Sequence, residues 1–146
     1  MQKTMLEFGK QIENAATVER ICVYAIAQNE NGAIALTRTP KGYFLPGGGV
    51  DAGESLEAAL EREIREEISY QSAIGDKVGV AVQYLYAQDE DTHYKKIGHF
   101  YHAVLNDKIF PPAETHHELI WCARRQAPEM LRHEFQAWAV RRANDF

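Results

Sequence analysis

The pattern of apolar and polar positions predicts a series of strands, interrupted by one long helix and followed by another. Stretches rich in Val, Ile and aromatic residues are typical of strands, and clusters of Gly, Asn, Asp and Pro separate them. The pair Asn31-Gly32 favours a tight turn, so the segment after it is expected to return antiparallel to the segment before it. An interruption of the secondary structure is expected at Gly75-Asp76. The predicted extended segments are residues 4–12 (a short strand or an ordered arm), 18–28, 33–37, 43–46, 78–87, 95–105 and 118–122.

The central helix is predicted over residues 55–69, which contain good helix formers and neither Gly nor Pro. Ser55 is suited to cap its N-terminus, where Glu54 and Glu57 favour the positive end of the helix dipole. At about 100° per residue, apolar side chains four positions apart fall on one face of this helix. That apolar stripe consists of Leu56, Leu60, Ile64 and Ile68.

The order of the elements predicts the fold class. Residues 95–105 are expected to form a hairpin with residues 78–87, and the chain from about residue 128 onwards is expected to be helical. One face of that last helix is apolar and is expected to dock on the sheet. Strands, helix, strands and helix in this order are typical of an α/β/α sandwich with a mixed sheet between the helices. The apolar face comprises Leu131, Phe135, Trp138 and Ala139.

Three carboxylates lie beside the apolar stripe of the central helix instead of opposite it. Glu63 and Glu67 project next to the stripe and Glu66 lies on its flank, where a solvated helix would have no acids. Arg62 can pair with Glu66 at i,i+4, but one guanidinium does not neutralise three carboxylates. A divalent cation such as Mg²⁺ or Mn²⁺ would do so. The alternative is an ordinary solvated acidic face. The glycine run at residues 47–49 favours a ligand site instead, because glycines allow the backbone N–H and C=O groups to approach a ligand closely.

The same stretch resembles the Nudix box, the signature of the Nudix hydrolases. Gly48 is followed by five residues and Glu54, then by seven residues and Arg62-Glu63-Ile64, and then by Glu66-Glu67. The spacing agrees with the family pattern through the last of these acids. The two positions that depart from it follow directly: Ser69 stands where the family has Gly, and Tyr70 stands where it has an aliphatic residue.

The resemblance implies roles for the residues of the box. Glu63, Glu66 and Glu67 would be metal ligands, with the backbone carbonyl of Gly47 as a further ligand. Arg62 would orient the acids, and Glu63 or an acid outside the box would be the general base. The family often recruits such an outside acid, and the candidates here are Glu114 and Glu118, whose alternative role is that of surface carboxylates.

Substrate contacts are expected around the glycine loop. Gly48 and Gly49 would approach the substrate, and Glu54 would bind metal or, as we favour, brace the loop. Arg38 and Lys41 precede the loop and are candidates for phosphate contacts, with ordinary surface charges as the alternative. Aromatic residues 43, 44, 84, 86, 100 and 101 are candidates for base stacking, although most are expected in the core. The adjacent pair at 116–117 lacks the spacing of a histidine metal site.

Length and composition fit one globular domain spanning residues 1–146. The net charge of −5 argues against general nucleic-acid binding but not against free nucleotides. Cys22 and Cys122 are expected to be buried free thiols, which suits the cytoplasm. No apolar run approaches the length of a membrane span. The N-terminal arm is of a kind that two copies of a homodimer can exchange, and the sequence leaves the oligomeric state open.

The sequence therefore predicts a Nudix pyrophosphohydrolase that uses Mg²⁺, or alternatively Mn²⁺. It would cleave a phosphoanhydride bond in a nucleoside diphosphate linked to another group, or in a nucleoside triphosphate, including an oxidised one, giving monophosphate and pyrophosphate. Two alternatives stay open. The first is a non-catalytic Nudix-fold module that binds a nucleotide as a sensor, and the second is an unrelated interaction domain whose acids are structural.

Overall fold

The computed structural model describes residues 5–110 and 117–146, which form two β-sheets and three α-helices. Five of the strands belong to a larger sheet, and three short ones form a smaller sheet beside it. In chain order the elements are β1 (Leu6–Phe8), β2 (Thr17–Ala27), β3 (Ile34–Thr39), β4 (Gly42–Phe44), β5 (Gly47–Gly49), α1 (Leu56–Ile68), β6 (Tyr70–Ala87), β7 (Thr92–Lys108), β8 (Glu118–Cys122), α2 (Ala127–Met130) and α3 (Glu134–Ala143).

The larger sheet is mixed and has the order β1-β6-β7-β2-β5. Its centre is the predicted hairpin, in which β6 and β7 pair antiparallel. On one side β1 runs parallel to β6. On the other side β2 runs parallel to β7, and the three-residue strand β5 pairs antiparallel with β2 at the edge of the sheet. The smaller sheet has the order β4-β3-β8 and is antiparallel.

The larger sheet lies between the helices, as the sequence predicts. Alternate residues of β2 point to opposite faces, because side chains alternate along a strand. Tyr24 and Ile26 pack with Phe135 of α3 in one apolar cluster. Val23 and its odd-numbered neighbours pack with Leu60 and the rest of the apolar stripe of α1 in the other. The two faces therefore have separate cores, one closed by α1 and the other by α3 together with α2.

The predicted pairing of residues 18–28 with 33–37 is wrong. The turn forms where Asn31-Gly32 predicts it, with the Gly32 N–H donating to the Asn29 carbonyl at 2.9 Å. The strand that follows nevertheless joins the smaller sheet, and a single bridge between Gln28 and Ile34 links it to the end of β2. The physical reason is that β7 occupies one side of β2 and β5 pairs with residues 22–24 on the other, so β3 cannot continue along β2 beyond its end.

Two other boundaries differ from the prediction. The expected break at Gly75-Asp76 is absorbed as an irregularity, and β6 runs on through it with register shifts between residues 74 and 79. The expected C-terminal helix is divided, because Leu131 is extended (φ −68°, ψ 132°) and bridges to Tyr43 of β4. Its apolar face docks on the sheet as predicted, with Phe135 buried.

The two cysteines and the lengths of the helices also agree with the sequence. Cys22 and Cys122 are buried and free, as predicted. Within the part of the chain that the structure describes, no helix has the length and apolar character needed to cross a bilayer. Of the predicted N-terminal segment, β1 forms a short strand at the edge of the larger sheet.

Both ends of α1 are defined by serines. The Ser55 hydroxyl accepts a hydrogen bond from the Ala58 N–H at 3.1 Å, which is the predicted N-cap. Ser69 ends the helix in the left-handed conformation (φ 60°, ψ 44°), and its N–H donates to the Arg65 carbonyl at 3.1 Å. The serine therefore adopts the backbone geometry that a C-terminal glycine usually provides, and β6 begins at the next residue.

We expect Ser69→Gly to be more stable than Ser69→Ala by about 1 kcal/mol, because a Cβ is costly in the left-handed region. Both variants lose the serine hydroxyl, so their difference contains the backbone term and, in the opposite direction, the burial of the alanine methyl group at this buried position. The measurement is urea unfolding of the two proteins under the same conditions. An alanine variant as stable as the glycine variant would show that the left-handed geometry carries no strain.

Candidate active site

The glycine loop brings the edge of the larger sheet against helix α1. Gly47 has a φ of 148°, and a Cβ at this position would lie 2.1 Å from the Val23 carbonyl oxygen. A Cβ on Gly48 would lie 2.8 Å from the carboxyl carbon of Glu63. Only glycine fits at position 47, because a Cβ there would collide with the backbone of β2. A side chain at position 48 would displace the Glu63 carboxylate from its place. The Glu63 carboxylate therefore lies directly against the backbone of β5.

Arg62 connects the acids of the helix to the loop. Its Nε and Nη2 donate to the two oxygens of Glu54 at 2.8 and 2.9 Å. Its Nη1 donates to Glu63 at 3.0 Å and to Glu66 at 3.2 Å. Nη2 also donates to the Gly49 carbonyl at 3.0 Å. A planar guanidinium can satisfy this many acceptors at once, which an ammonium cannot. The predicted pairing with Glu66 is thus one contact of a larger network.

Glu54 is held ionised by this network. The hydrogen bonds from Arg62 lower the pKa of Glu54 to about 2, and the bond from the Asp51 N–H acts in the same direction. The Asp51 N–H lies 2.9 Å from the Glu54 carboxylate. Glu54 therefore joins the loop after β5 to the middle of the helix, the bracing geometry favoured for it above.

Glu67 occupies the inner end of the acid cluster. Its side chain is 12% exposed, with one oxygen 3.5 Å from the Gly47 nitrogen and 3.6 Å from Nδ1 of His117. Burial raises the pKa of Glu67, the neighbouring Glu63 carboxylate adds to the rise, and His117 opposes it. The contact with Glu67 in turn raises the pKa of His117. Two carboxylates are therefore held together in a poorly solvated place, which is costly without positive charge.

The carboxylate ligands fit a hard divalent cation, although Glu66 is directed to Arg62 and solvent instead of the site. Glu63 and Glu67 supply carboxylate oxygens beside the glycine loop, and such oxygens are the ligands that Mg²⁺ and Mn²⁺ prefer. Glu66 is 58% exposed and is bound by Arg62. As they stand, the acids, histidines and cysteines of residues 5–110 and 117–146 include no group of three that could hold an ion. A third carboxylate ligand would require Glu66 to leave the guanidinium.

A cavity of about 410 Å³ opens beside Glu67. Its floor is the face of the larger sheet that carries α3, and its walls come from the smaller sheet and from the connection between α2 and α3. The volume is within the range of small-molecule sites. It is lined by Tyr24, Thr37, Thr39, Pro40, Lys41, Phe44, Leu45, Gly47, Gly48, Glu67, Lys96, His117, His133 and Gln136.

Two residues of α3 and its N-terminus shape the cavity wall. Gln136 is buried, and its side-chain oxygen accepts a hydrogen bond from the Leu45 N–H at 2.7 Å. This bond fixes the extended piece that delivers the glycine loop. The ring of His133 lies 5.2 Å from the ring of Phe44, centroid to centroid. Burial, together with the nearby charge of Lys96, lowers the pKa of His133 to about 4, so this imidazole is neutral at pH 7.

Of the other residues predicted to contact substrate or metal, Arg38 and Glu118 lie away from the cavity and Lys41 lies at its mouth. Arg38 and Glu118 are opposite each other in the register of β3 and β8 and form an exposed ion pair. Thr37 and Thr39 line the cavity, so Arg38 between them projects to the other face of the smaller sheet. Lys41 lies at the cavity mouth, where its Nζ is 2.8 Å from an oxygen of Asp89. Glu114 lies outside the described residues.

Several cavity residues were not identified from the sequence. Lys96 could have been placed on the same face as Phe100 from strand alternation, but nothing marked that face as a cavity. The position of His117 next to another histidine does not indicate its contact with Glu67, which lies 50 residues earlier in the chain. His133 and Gln136 lie in a segment that was expected to be one continuous helix, so their position beside the glycine loop depends on the break at Leu131.

A family model for the NUDIX domain matches residues 18–143. The chain belongs to the Nudix family. The match includes the whole box and both sheets except β1, and it confirms the family predicted from residues 48–67. It also supports the expectation of a pyrophosphohydrolase. Members of the Nudix family generally use divalent metal ions.

Among curated Nudix relatives, a Bacillus subtilis (strain 168) protein named "Putative 8-oxo-dGTP diphosphatase" is 44% identical over 59 residues. That alignment covers 39% of this chain and 40% of the relative. The chain thus spans about two fifths of the length of that protein, and the likeness is local.

Solved Nudix structures confirm the predicted fold. A NUDIX hydrolase from Nitrosomonas europaea superposes with a TM-score of 0.69 at 16% identity, covering 87% of this chain and 89% of the other. The MutT protein from Methanosarcina mazei Go1 gives a TM-score of 0.64 at 24% identity, covering 92% of this chain and 98% of the other. At these identities the likeness concerns the fold and not the substrate.

The neutral His133 predicts a component of acid sensitivity. The pKa of His133 is about 4 in the folded state against an ordinary value of 6.5, so the unfolded chain takes up the proton first. The stabilisation is complete above the ordinary pKa and is lost as the pH falls towards the folded value. Between about pH 7.5 and about pH 5, wild type should lose about 1–2 kcal/mol more unfolding free energy than His133→Asn.

The measurement is urea unfolding of both proteins at the two pH values. The asparagine variant serves as its own control for all other titrating groups, because they are shared. Equal losses in the two proteins would show that folding does not lower the pKa of His133.

Proposed function

We propose that this Nudix protein hydrolyses a phosphoanhydride bond of a nucleotide-type substrate with the help of a divalent metal ion. The observation that carries the proposal is the position of Glu63 and Glu67. Both acids are held beside the glycine loop at the edge of the sheet, and Glu67 lines a cavity large enough for a nucleoside. An acid cluster that opens onto such a cavity favours an enzyme over a structural role for the acids.

The proposed metal ligands are Glu63, Glu67 and the backbone carbonyl of Gly47, with Glu66 joining them from its contact with Arg62. The ion is Mg²⁺ or alternatively Mn²⁺. Bound there, a dication would neutralise phosphate oxygens and lower the pKa of a water molecule. The chain's own contribution is positioning, because the helix and the glycine loop fix where the acids lie.

Arg62 and Glu54 are proposed as positioning residues. Their bidentate pair anchors the loop that carries Gly48 and Gly49, the proposed backbone contacts for phosphates. Because the same guanidinium holds Glu63, a change at Arg62 would move both the loop and an acid. Arg38 and Glu118 are left out of this proposal, since they satisfy each other on the far face of the smaller sheet.

The proposed substrate is a nucleoside diphosphate derivative or a nucleoside triphosphate, the latter giving monophosphate and pyrophosphate. The local likeness to a protein named for 8-oxo-dGTP supports the inclusion of oxidised nucleotides. The apolar and aromatic lining of the cavity supports a base and sugar as the bound part. The two free, buried thiols support a reducing, cytoplasmic setting.

The decisive variant is Glu67→Gln, which keeps the shape of the side chain and removes its charge. We expect its kcat on the best substrate of a nucleotide panel to fall by at least about 100-fold with Mg²⁺ present, because charge stabilisation at the reacting phosphate is lost. The matched control is Glu61→Gln, on the exposed side of the same helix. The assay identifies the products by chromatography, so that cleavage between phosphates is seen directly.

The control separates loss of the site from a general loss of helix charge. Glu61→Gln should keep wild-type turnover. Full turnover by Glu67→Gln, or equal losses in both variants, would contradict the proposed site.

A further inference from the structure

Lys96 is a cation in the cavity whose neighbours do not satisfy it. It lies on β7, is half-buried and lines the cavity floor. The ion pairs of residues 5–110 and 117–146 do not include it, whereas the adjacent Lys95 pairs with Glu19 at 3.7 Å. Its Nζ lies 5.5 Å from the centroid of the Tyr94 ring. Its charge also acts on His133 and Cys22, neither of which is a carboxylate. Lysine carries three N–H donors and no acceptor, so it requires acceptors from elsewhere.

The strands on either side offer Lys96 no free acceptor. Its cross-strand neighbour on β2 is Arg20, a second cation over the same Tyr94 ring at 5.8 Å. Its neighbour on β6 is Gln83, whose oxygen accepts from the Phe135 N–H at 3.1 Å and whose amide donates to the Tyr84 carbonyl at 3.0 Å. Like charges opposite each other in a sheet are unfavourable. The arrangement therefore favours a ligand that brings acceptor atoms to this end of the cavity.

The sheet register separates Lys96 from the acid cluster by a distance that a bound nucleotide can span. Gly47 is opposite Tyr24 on β2, and Lys96 is opposite Arg20, on the other side of the same strand. Four residues along the strand and two strand spacings across it separate the Cα atoms of Gly47 and Lys96 by roughly 16 Å. A nucleotide with its phosphates at the glycine loop would therefore reach Lys96 with its base.

We propose that Lys96 donates to the base of the bound nucleotide and makes the cavity selective for 6-oxopurines over 6-aminopurines. The inference rests on the proposed function for the identity of the ligand, and it adds the base class and the residue that selects it. An unoxidised 6-oxopurine presents two adjacent acceptors, O6 and N7, which a lysine ammonium can contact together. An 8-oxidised one carries a hydrogen on N7 and offers the ammonium O6 alone at this edge. A 6-aminopurine presents an N–H donor at the same place, so its amino group would face the ammonium.

The other polar groups at this end are engaged or neutral, so they do not compensate for Lys96. His133 is an uncharged imidazole, and its pKa is low partly because Lys96 is close. Gln136 is committed to the Leu45 N–H. The hydroxyl of Thr37 donates to the Phe44 carbonyl at 3.1 Å. Lys96 is thus the lining cation best placed to discriminate between bases.

The test compares dITP with dATP, two substrates whose bases differ at position 6. Wild-type enzyme with Mg²⁺ is expected to prefer dITP in kcat/KM by about 10-fold or more, the size of a specific base contact. Lys96→Met should bring the ratio close to one, through a higher KM for dITP. Lys96→Gln should shift the ratio towards dATP, because a glutamine amide can pair with the 6-amino group and N7. Lys95→Met is the matched control, since its side chain projects to the other face of β7, and it should keep the wild-type ratio.

The outcomes separate this inference from the proposed function. Equal loss of activity on both substrates in Lys96→Met and Lys96→Gln would assign Lys96 a structural or phosphate-binding role and overturn the inference, as would a wild-type ratio near one. If wild type hydrolyses neither nucleotide, these two are not substrates, and the proposed function fails only if the whole nucleotide panel is also left uncleaved. Calorimetric binding of IMP and AMP to the same proteins then decides, and the inference stands only if IMP binds more tightly and Lys96→Met abolishes the difference. Binding of neither nucleotide by wild type overturns it as well.

Discussion

The guanidinium of Arg62 is the interaction on which the rest of the site depends. It donates two hydrogen bonds to Glu54, one each to Glu63 and Glu66, and one to the carbonyl of Gly49. One cation thereby joins the loop after the sheet edge to the middle of the helix. Glu67 lies beyond its reach and relies on burial beside the glycine loop. The network therefore fixes the positions of Glu63 and Glu66, whereas burial beside the glycine loop fixes that of Glu67.

The sheet supplies the second constraint, which is the position of the cavity. The edge strand β5 has glycine at each of its positions, so the helix and the neighbouring strand approach it closely. The smaller sheet and the interrupted C-terminal helices then close a space over the other face of β2. The acids and the cavity thus meet at one edge of the sheet, where a chain of phosphates and a base could be held by different elements. Burial of Glu67 and the neutral state of His133 follow from this closure.

Local patterns predicted the helix and its acids because they depend on residues close in sequence. The 3.6-residue period placed Glu63 and Glu67 beside the apolar stripe, and the box spacing identified the family. Strand pairing could not be predicted from local patterns. The turn at Asn31-Gly32 forms, yet the strand after it joins another sheet, because β5 already pairs with residues 22–24 on that side of β2. Lys96 and His133 could not be assigned to a cavity, since its walls come from segments far apart in the chain.

The most direct test is anomalous diffraction from crystals grown with Mn²⁺ and a non-hydrolysable nucleotide. We expect manganese density between the carboxylates of Glu63 and Glu67, with Glu66 released from Arg62 and the pair of Arg62 with Glu54 retained. Density elsewhere, or no density with these carboxylates directed into solvent, would contradict it.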